Sequence, residues 1–279
     1  MMEFSVLMVT YGKDHPEHLN QSLRSVSLDQ TLLPTEIVLV VNGVLNPDLE
    51  QVIDQWSVQL INIVFRVVRL PVNGGLGHAL NRGAEECTTN WIARMDADDI
   101  SLPNRFLWQC QYLLDHPSLV LLGGAIEILE ESNGHRTHFY PQNEAAIRDF
   151  IVRGSPFAHP SIMIRRDILL RYRYQSQLYH AKSGSGNEDI DLWFRLVQDR
   201  WPMGNLDQVI LRFRVNDRFY SRRSNSKAWT EMMIYLRGIR ALYGWDWRLI
   251  FPVLRWLTRL MPQGVNRILY RYRNALYRM

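Results

Sequence analysis

Three carboxylates lie within four residues of one another directly after an apolar segment, in the run Met95–Asp99. The apolar segment is predicted to be a buried strand, and ligands of parallel sheets bind at the carboxyl ends of strands. Carboxylates this close repel one another unless a cation or hydrogen bonds offset their charge. Asp96 and Asp98 are therefore candidate ligands of Mg²⁺ or Mn²⁺, which prefer oxygen and keep positions open for substrate phosphates. The alternative is a loop in which Asp99 or Ser101 caps the helix that follows.

A second candidate feature is the glycine-rich segment Val72–Arg82, which has three glycines where a predicted strand leads into a predicted helix. Glycine lets the backbone approach a ligand closely, and a helix N-terminus favours anionic groups. The segment lacks the third glycine of a dinucleotide-binding fingerprint, and it follows the third strand rather than the first. The pattern therefore predicts either an anion-binding loop or a tight turn without a ligand.

A third candidate feature is a pair of acids, Glu188 and Asp189, at the start of a predicted helix, with Asp191 two residues further on. Acids in a first helical turn are stabilised by the helix dipole, so capping alone can explain one or two of them. The preceding segment, Gln175–Asn187, is rich in Gly and Ser, and we expect it to be mobile. A mobile segment that delivers a carboxylate indicates a general base.

Alternating strands and helices through residue 118 must position these groups. This alternation predicts right-handed crossovers and a parallel sheet covered on both faces. Beyond residue 118 the pattern is less regular, and residues 131–142 are predicted to form an exposed hairpin or loop. The predicted strands are Phe4–Thr10, Glu36–Val41, Ile61–Leu70, Trp91–Met95, Leu119–Leu129, Ser161–Ile164 and Val209–Val215. The predicted helices are Pro16–Leu28, Pro47–Trp56, Leu76–Cys87, Pro103–His116, Asn143–Arg153 and Glu188–Asp199.

Composition excludes several classes of protein. With 47% apolar and 22% charged residues, the chain is neither disordered nor collagen-like nor a coiled coil. Two cysteines are too few for a disulfide framework or a cysteine-based zinc site. No stretch reaches the ~18 uncharged apolar residues of a membrane-spanning helix.

The positive charge is concentrated at the C-terminal end. Residues 229–279 contain nine arginines and two acids, a net charge of +7, whereas the rest of the chain carries −3. A nucleic-acid-binding protein usually spreads a basic face over its fold, so this pattern argues against nucleic acid as a partner. Two amphipathic helices, Phe251–Met261 and Val265–Tyr277, are predicted here. They are expected to lie on a membrane with arginines such as Arg255 and Arg259 at the lipid phosphates; the alternative is packing on the catalytic domain.

Taken in order, these motifs resemble those of the bacterial family-2 glycosyltransferases that build O-antigens, capsules and exopolysaccharides. The resemblance covers roughly residues 3–226, and the order and spacing of the motifs make it specific. It is carried by the segments S-V-L-M-V-T-Y, N-G-G-L-G-H-A-L-N-R-G, R-M-D-A-D-D-I-S-L-P-N-R-F, H-P-S-I-M-I-R-R and N-E-D-I-D-L-W-F-R-L.

The resemblance implies an α/β fold of the GT-A (Rossmann-like) type, with a central, mostly parallel sheet flanked by helices. The amphipathic spacing described above adds a C-terminal helical tail. The catalytic domain would span residues 1–226, with a nucleotide-binding half at about 1–118 and an acceptor-binding half at about 119–226. Residues 227–279 would form the basic, membrane-associating tail.

The implied activity is Mn²⁺- or Mg²⁺-assisted transfer of a hexose, with inversion at the anomeric carbon. The donor would be a nucleotide-sugar, UDP-glucose or UDP-galactose. The acceptor would be a hydroxyl of an undecaprenyl-diphosphate-linked saccharide in O-antigen synthesis. The protein is therefore expected to be cytoplasmic and peripheral, on the anionic inner face of the cell membrane.

The family's functional residues carry over to matching positions. Asp189 would be the catalytic base, and Glu188 would help to place the acceptor. Asp98 would bind the metal, with Asp96 nearer the ribose. The residues implied to bind the nucleotide-sugar are Thr10, Tyr11, Asn42, Asn73, Gly75, Gly77, Asn81, Arg82, Asp96, Ala97 and Asp98.

Two positions depart from the family pattern. The second strand ends in Asn42, where relatives commonly have an Asp that accepts a hydrogen bond from the base. Near the end of the domain, Asn216 occupies the place of a His that can reach the metal or the phosphates. Arg222 or Arg223 is the candidate that would hold the diphosphate instead.

Three further residues have two interpretations each. Arg82 and Arg94 either contact the diphosphate or form salt bridges with nearby acids. His159, next to Pro160 in an acceptor-side loop, either contacts the substrate or makes a structural hydrogen bond.

Two other functions compete with glycosyl transfer. A sugar-phosphate nucleotidyltransferase would carry a Gly- and Arg-rich loop after the first strand, but residues 10–14 supply one Gly and no Arg. A basic membrane-peripheral or RNA-binding module would leave the acidic cluster unexplained.

Overall fold

The computed structural model describes residues 2–130, 134–175, 187–215 and 225–259. Nine strands form one sheet flanked by helices, where the sequence predicts such a sheet with seven strands. The strands are β1 Ser5–Thr10, β2 Glu36–Asn42, β3 Val64–Leu70, β4 Trp91–Asp96, β5 Ile100–Ser101, β6 Leu121–Glu130, β7 Gly134–His138, β8 Met163–Arg165 and β9 Met203–Val215. The helices are α1 Pro16–Ser25, α2 Pro47–Gln59, α3 Leu76–Glu86, α4 Arg105–Asp115, α5 Glu144–Phe150, α6 Arg166–Tyr172, α7 Glu188–Gln198, α8 Asn225–Tyr243 and α9 Ile250–Arg259.

The first four strands form a parallel unit in the order β3-β2-β1-β4. Every residue of β2 is buried, as are five of the six in β1, which is typical of parallel strands covered on both faces. One apolar core lies on each side of the sheet, the first around Leu7 and Val38 and the second around Met8 and Leu39. The predicted parallel arrangement is therefore confirmed for this half.

Beyond β4 the sheet is mixed. β8 pairs antiparallel with β4 and with β6, whereas β6 pairs in parallel with β9. β9 begins at Met203, six residues before the predicted Val209, because its first residues pair with β6 ahead of a bulge near Gly124. The segment predicted as a hairpin or loop contributes β7, which pairs with β6.

The C-terminal helices pack on the rest of the described protein through α7. At Gly238 of α8, an added Cβ would lie only 2.3 Å from the ring of Phe194, so glycine is what lets α8 approach α7 so closely. α9 folds back onto α8, which confirms the first predicted tail helix. The second, at Val265–Tyr277, lies outside the described residues. Among the helices that the structure describes, none is long and apolar enough to span a membrane.

One detail of the tail prediction is wrong. Arg255 does not project toward lipid phosphates but turns inward, where it forms an ion pair with Glu231 and donates to the carbonyl of Arg153. Its guanidinium also lies 4.4 Å from the ring centroid of Tyr235. A buried cation needs partners of this kind, and α8 supplies two of them.

Candidate active site

The strand order brings the predicted motifs to one edge of the sheet. β1 lies between β2 and β4, with Val9 opposite Asp96 and Thr10 opposite Val41. The carboxyl ends of these three parallel strands therefore lie side by side. Such an edge is where open α/β sheets bind their ligands.

The acidic cluster consists of Asp96, Asp98 and Asp99, which each offer a carboxylate oxygen within 4.8 Å of the others. Asp96 forms an ion pair with Arg94, and its backbone carbonyl accepts a hydrogen bond of 2.7 Å from Ser22 Oγ. Three carboxylates at this distance form the oxygen-rich environment that Mg²⁺ or Mn²⁺ prefers. The residues present therefore fit a divalent cation.

Asp99 belongs to this cluster. The helix α4 begins after Asn104 without a side-chain cap, so the alternative in which Asp99 or Ser101 caps it is wrong. The Asp99 side chain is 1% exposed, and its Oδ1 accepts a hydrogen bond of 2.9 Å from the backbone N–H of Arg214. Its Oδ2 has no hydrogen-bond partner within the described part of the chain. Burial, together with the charges of Asp96 and Asp98, raises the pKa of Asp99 well above its ordinary value. A bound cation would offset this accumulated negative charge.

Asp14 is a fourth acid at the same edge, and the sequence analysis missed it. Thr10 Oγ1 and the backbone N–H of Tyr11 each donate to Asp14 Oδ2 at 3.0 Å. Burial raises the pKa of Asp14 to about 7, with smaller contributions from Asp98 and Asp96. The available signal was its position just after β1, since β1 ends beside the strand that carries the acidic cluster.

Asn42 fastens the end of β2 to the glycine-rich segment. Its Nδ2 donates to Asn73 Oδ1 at 3.1 Å and to the carbonyl of Gly75 at 3.3 Å, while its Oδ1 accepts from the N–H of Gly74 at 3.1 Å. Gly75 has a φ of +88°, a conformation that favours glycine. The amide of Asn42 thus uses donor and acceptor together, which a carboxylate could not do.

Two residues of α3 that are predicted to bind the nucleotide-sugar have partners within the protein. Arg82 forms ion pairs with Glu85 and Glu86, in line with its structural interpretation. Asn81 exchanges two hydrogen bonds of 2.9 Å with the backbone of Tyr174. Asn81 thereby holds the chain after α6 against α3. The predicted Gly77 is buried in the same helix.

The two acids at the start of α7 have different surroundings. Glu188 is 4% exposed, whereas Asp189 is half-buried. Burial, followed by the charge of Glu188, raises the pKa of Asp189 to about 7, and the positive charge of Arg94 opposes this shift. Asp191 instead forms an ion pair of 2.8 Å with Arg195 on the next turn of the helix. Asp189 is thus the acid at this helix start whose protonation can change near neutral pH.

Tyr174 connects α7 with the acidic cluster. Its buried hydroxyl lies in the electrostatic fields of Arg94, Asp189 and Asp96. His159 Nε2 lies 2.8 Å from that hydroxyl. Burial, followed by the positive charge of Arg94, lowers the pKa of His159 well below its ordinary value. His159 therefore makes the structural hydrogen bond that was one of its two interpretations. The sequence analysis missed Tyr174 because it lies in no motif.

Arg105 is a further residue that the sequence analysis did not single out. It is fully buried, and its Nη2 donates to the carbonyl of Arg94 at 2.8 Å, while its Nε donates to Gln109 at 3.1 Å. Burial lowers the pKa of Arg105 to about 9. The side chain thereby anchors the end of β4, from which the acidic cluster projects.

The structure brings together most of the predicted site. Thr10, Asn42 and the acidic cluster lie at the same edge of the sheet, and Asp189 acts electrostatically on Tyr174 together with Arg94 and Asp96. Ala97, between Asp96 and Asp98 in the chain, is buried in the apolar core. Asn216, Arg222 and Arg223 lie outside the described residues, as does most of the Gly- and Ser-rich segment. Burial, followed by the charge of Asp189, raises the pKa of Tyr140, which lies in the segment after β7.

Comparison with known proteins identifies the family. Residues 5–173 match the model of glycosyl transferase family 2. The chain is 37% identical to the amylovoran biosynthesis glycosyltransferase AmsE of Erwinia amylovora, over 96% of this chain and 97% of that one. It is 28% identical to a UDP-Gal:alpha-D-GlcNAc-diphosphoundecaprenol beta-1,3-galactosyltransferase of Escherichia coli, over 96% and 95%.

Solved structures identify the fold. The mannosyltransferase PcManGT of Pyrobaculum calidifontis, solved with GDP-Man and Mn²⁺, is similar with a TM-score of 0.64 and 13% identity, over 98% of this chain and 80% of that one. The fold is the predicted GT-A type, in which a curled central sheet is flanked by helices. On the family model and the full-length relatives, this chain is a glycosyltransferase and belongs to glycosyl transferase family 2.

Proposed function

We propose that this protein is an inverting, metal-dependent hexosyltransferase of bacterial surface polysaccharide synthesis. It transfers a hexose from UDP-glucose or UDP-galactose to a hydroxyl of an undecaprenyl-diphosphate-linked saccharide. The observation that carries the proposal is that Asp189, with a pKa of about 7, lies in the electrostatic field of the same Arg94 that pairs with the acidic cluster.

The donor side is formed by the ends of β1 and β2 and by the acidic cluster. Thr10 and Tyr11 border the nucleotide, and Asn42 keeps the glycine-rich segment in place beside it. Asp98, with Asp96, would hold a divalent cation. When bound, such a cation supplies Lewis-acid stabilisation of the charge that builds on a departing diphosphate.

Asp189 acts on the acceptor side. An acceptor hydroxyl has a high pKa and must lose its proton as it attacks the anomeric carbon. The Asp189 carboxylate accepts that proton, and a base with a pKa near 7 is well matched to a neutral cytoplasm. Attack from the face opposite the nucleotide inverts the anomeric configuration in a single displacement.

The relatives support the substrate class. The galactosyltransferase of Escherichia coli is named for a UDP-Gal donor and a diphosphoundecaprenol-linked GlcNAc acceptor, and the chain aligns with almost all of it. AmsE is named for the biosynthesis of the polysaccharide amylovoran. A lipid-diphosphate-linked sugar is therefore the acceptor that we favour.

The test is transfer by the purified full-length protein. It is incubated with Mn²⁺, a synthetic lipid-diphosphate-linked GlcNAc, and UDP-glucose, UDP-galactose or GDP-mannose in parallel. We expect transfer from one of the two UDP-hexoses, with a β linkage by NMR from the α-configured donor. An α-linked product contradicts the inverting mechanism, and transfer from GDP-mannose alone contradicts the donor. Pyrophosphate release from UTP and a sugar phosphate, without glycosyl transfer, would instead indicate a nucleotidyltransferase.

A further inference from the structure

The helix α9 exposes its apolar face. Ile250, Val253, Leu254 and Leu257 follow one another at the spacing of a single helical stripe, and their side chains are 51%, 37%, 50% and 44% exposed. In a water-soluble domain, such a stripe normally faces the core. In α9 the opposite face, which includes Arg255, packs on α8 instead.

The orientation of α9 is fixed by the buried contacts of Arg255. Its side chain is 16% exposed, and its partner Glu231 on α8 is 11% exposed. Rotating α9 to bury the apolar stripe would remove Arg255 from Glu231 and from the ring of Tyr235, and would leave a buried acid without its cation. The apolar stripe is therefore exposed because the contacts of Arg255 with Glu231 and Tyr235 fix the opposite face of α9 against α8.

Two tryptophans extend the stripe toward the N-terminal end of α9. Trp247 is 65% exposed and contacts Phe251 at a centroid distance of 5.4 Å, and Trp245 is 81% exposed. Of the seventeen large apolar side chains that are exposed in the described residues, eight lie between positions 229 and 257. We name as the outer surface the six residues Trp245, Trp247, Ile250, Val253, Leu254 and Leu257.

Cations border the outer surface. The guanidinium of Arg240 lies 4.4 Å from the ring centroid of Trp245, and that of Arg248 lies 5.6 Å from Trp247. Both acids between residues 229 and 279, Glu231 and Asp246, have arginine partners. The sequence continues from residue 260 to 279 with four more arginines and no acid. A partner for this surface must therefore be apolar at its centre and anionic at its rim.

We propose that the outer surface lies in the interface of an anionic lipid bilayer. The tryptophans and aliphatic side chains would enter the boundary between headgroups and acyl chains, while Arg240 meets lipid phosphates. A second copy of this chain fits less well, because it would bring two strongly positive ends together.

This inference rests on the proposed function, whose acceptor is carried by a lipid, and it specifies how the site meets that acceptor. α8 packs against α7 through Gly238 and Phe194, and α7 begins with the acids Glu188 and Asp189. The membrane-contacting helices and the proposed base therefore belong to one continuous packed unit. Binding to the bilayer confines the site to the surface on which the acceptor is found.

The test is flotation of the full-length protein with vesicles of phosphatidylethanolamine and phosphatidylglycerol. Leu254→Glu combined with Leu257→Glu should weaken binding by about tenfold or more, because two apolar groups become charged. The matched control combines Val58→Glu with Ile61→Glu, two residues that are 82% and 89% exposed at the end of α2. The control should float like the wild type, and vesicles of phosphatidylcholine alone should bind the wild type more weakly.

Three results would overturn the inference. The first is a wild type that does not float with the anionic vesicles, and the second is an equal loss in the control pair. The third is a Leu254→Glu/Leu257→Glu protein that floats normally but changes from dimer to monomer in sedimentation, since the surface would then bind a second copy. A thermal melt of each variant establishes that it is folded.

Activity separates this inference from the proposed function. With a short, water-soluble acceptor, the double variant should transfer sugar at the wild-type rate, whereas with acceptor embedded in vesicles its rate should fall. A wild type that floats but transfers no sugar to either acceptor contradicts the proposed function and leaves the membrane contact standing. A wild type that transfers to both acceptors without binding vesicles contradicts only the membrane contact.

Discussion

Arg94 forms a buried ion pair with Asp96, two residues further along β4, and its charge also acts on Asp189 at the start of α7. The Arg94 side chain is 3% exposed, and its Nε and Nη1 have no hydrogen-bond partner among the described residues. The charge of one guanidinium thus acts both on the acidic cluster and on the acid at the start of α7. Replacing it should change both.

Removal of the Arg94 charge should shift the pH dependence of transfer. Burial and Glu188 raise the pKa of Asp189 to about 7, and Arg94 lowers it by favouring the carboxylate. In Arg94→Gln that pKa should rise further, so the acid limb of kcat/KM moves to higher pH and more activity is lost at pH 6 than at pH 8. Arg94→Lys, which keeps the charge, should return the limb toward the wild-type position. An unchanged acid limb in Arg94→Gln would show that the two residues are not coupled.

Asp98→Ala should abolish metal-dependent donor binding while leaving the fold intact. In the wild type, UDP with Mn²⁺ should raise the melting temperature, since a ligand at a hundred times its Kd stabilises by about 2.7 kcal/mol. The variant should melt at the wild-type temperature without ligands and show no increase with them. Full transfer by wild type in excess EDTA would contradict metal dependence.

Asp189→Asn should lower turnover by about 10²- to 10⁴-fold, because the isosteric amide cannot accept the acceptor's proton. Affinity for the UDP-sugar should change little, since in the proposed function Asp189 acts on the acceptor and not on the donor. Asp115→Asn, an exposed acid at the end of α4, serves as the control. Turnover within twofold of wild type in Asp189→Asn would exclude it as the base.

Asn42→Asp should destabilise the protein, even though the sequence analysis expects an Asp at the end of the second strand. The carboxylate would face Asn73 Oδ1 and the carbonyl of Gly75, which now accept from the Asn42 amide. We expect a loss of about 1–3 kcal/mol in the free energy of unfolding and weaker UDP binding. Chemical denaturation and calorimetry measure the two quantities. Tighter UDP binding at unchanged stability would mean that position 42 contacts the base directly.

Glu231→Ala should destabilise the C-terminal helices strongly. It leaves Arg255 mostly buried without its ionic partner, and breaking such a pair costs about 3–5 kcal/mol. Glu50→Ala removes the partner of Arg69 in an exposed pair, and there we expect less than about 1 kcal/mol. Equal losses in the two variants would show that the Glu231–Arg255 pair is no more important than a surface contact.

Much of the site could be predicted from the sequence because it is encoded locally. β1, β2 and β4 are apolar runs that end in polar residues, and parallel strands place such ends at one edge of the sheet. The positions of the acids at residues 96–99 and 188–189 could be predicted from the chain order, because the first group comes at the end of β4 and the second begins α7. The family and the GT-A fold that the motifs predict are confirmed by the family model and by the similar solved structure.

Asp14 and Tyr174 escaped prediction because their roles depend on neighbours that are distant in the chain. Asp14 acquires its raised pKa from burial and from acids more than eighty residues away. Tyr174 joins the site because Asn81 holds its backbone and because Arg94 and Asp189 converge on its hydroxyl. No local period or spacing reports such contacts.

The C-terminal helix shows the same division most clearly. Its sequence determined that α9 would be amphipathic, because apolar residues and arginines recur at helical spacing. It did not determine which face would be buried, since either face of such a helix can pack if the charges on it find partners. Only the tertiary structure decided this, by placing Glu231 and Tyr235 of α8 against Arg255. If the apolar stripe faced inward, Glu231 would be buried without its cation, and an unpaired buried charge is strongly destabilising. The arginine therefore lies inside, and the apolar stripe faces outward.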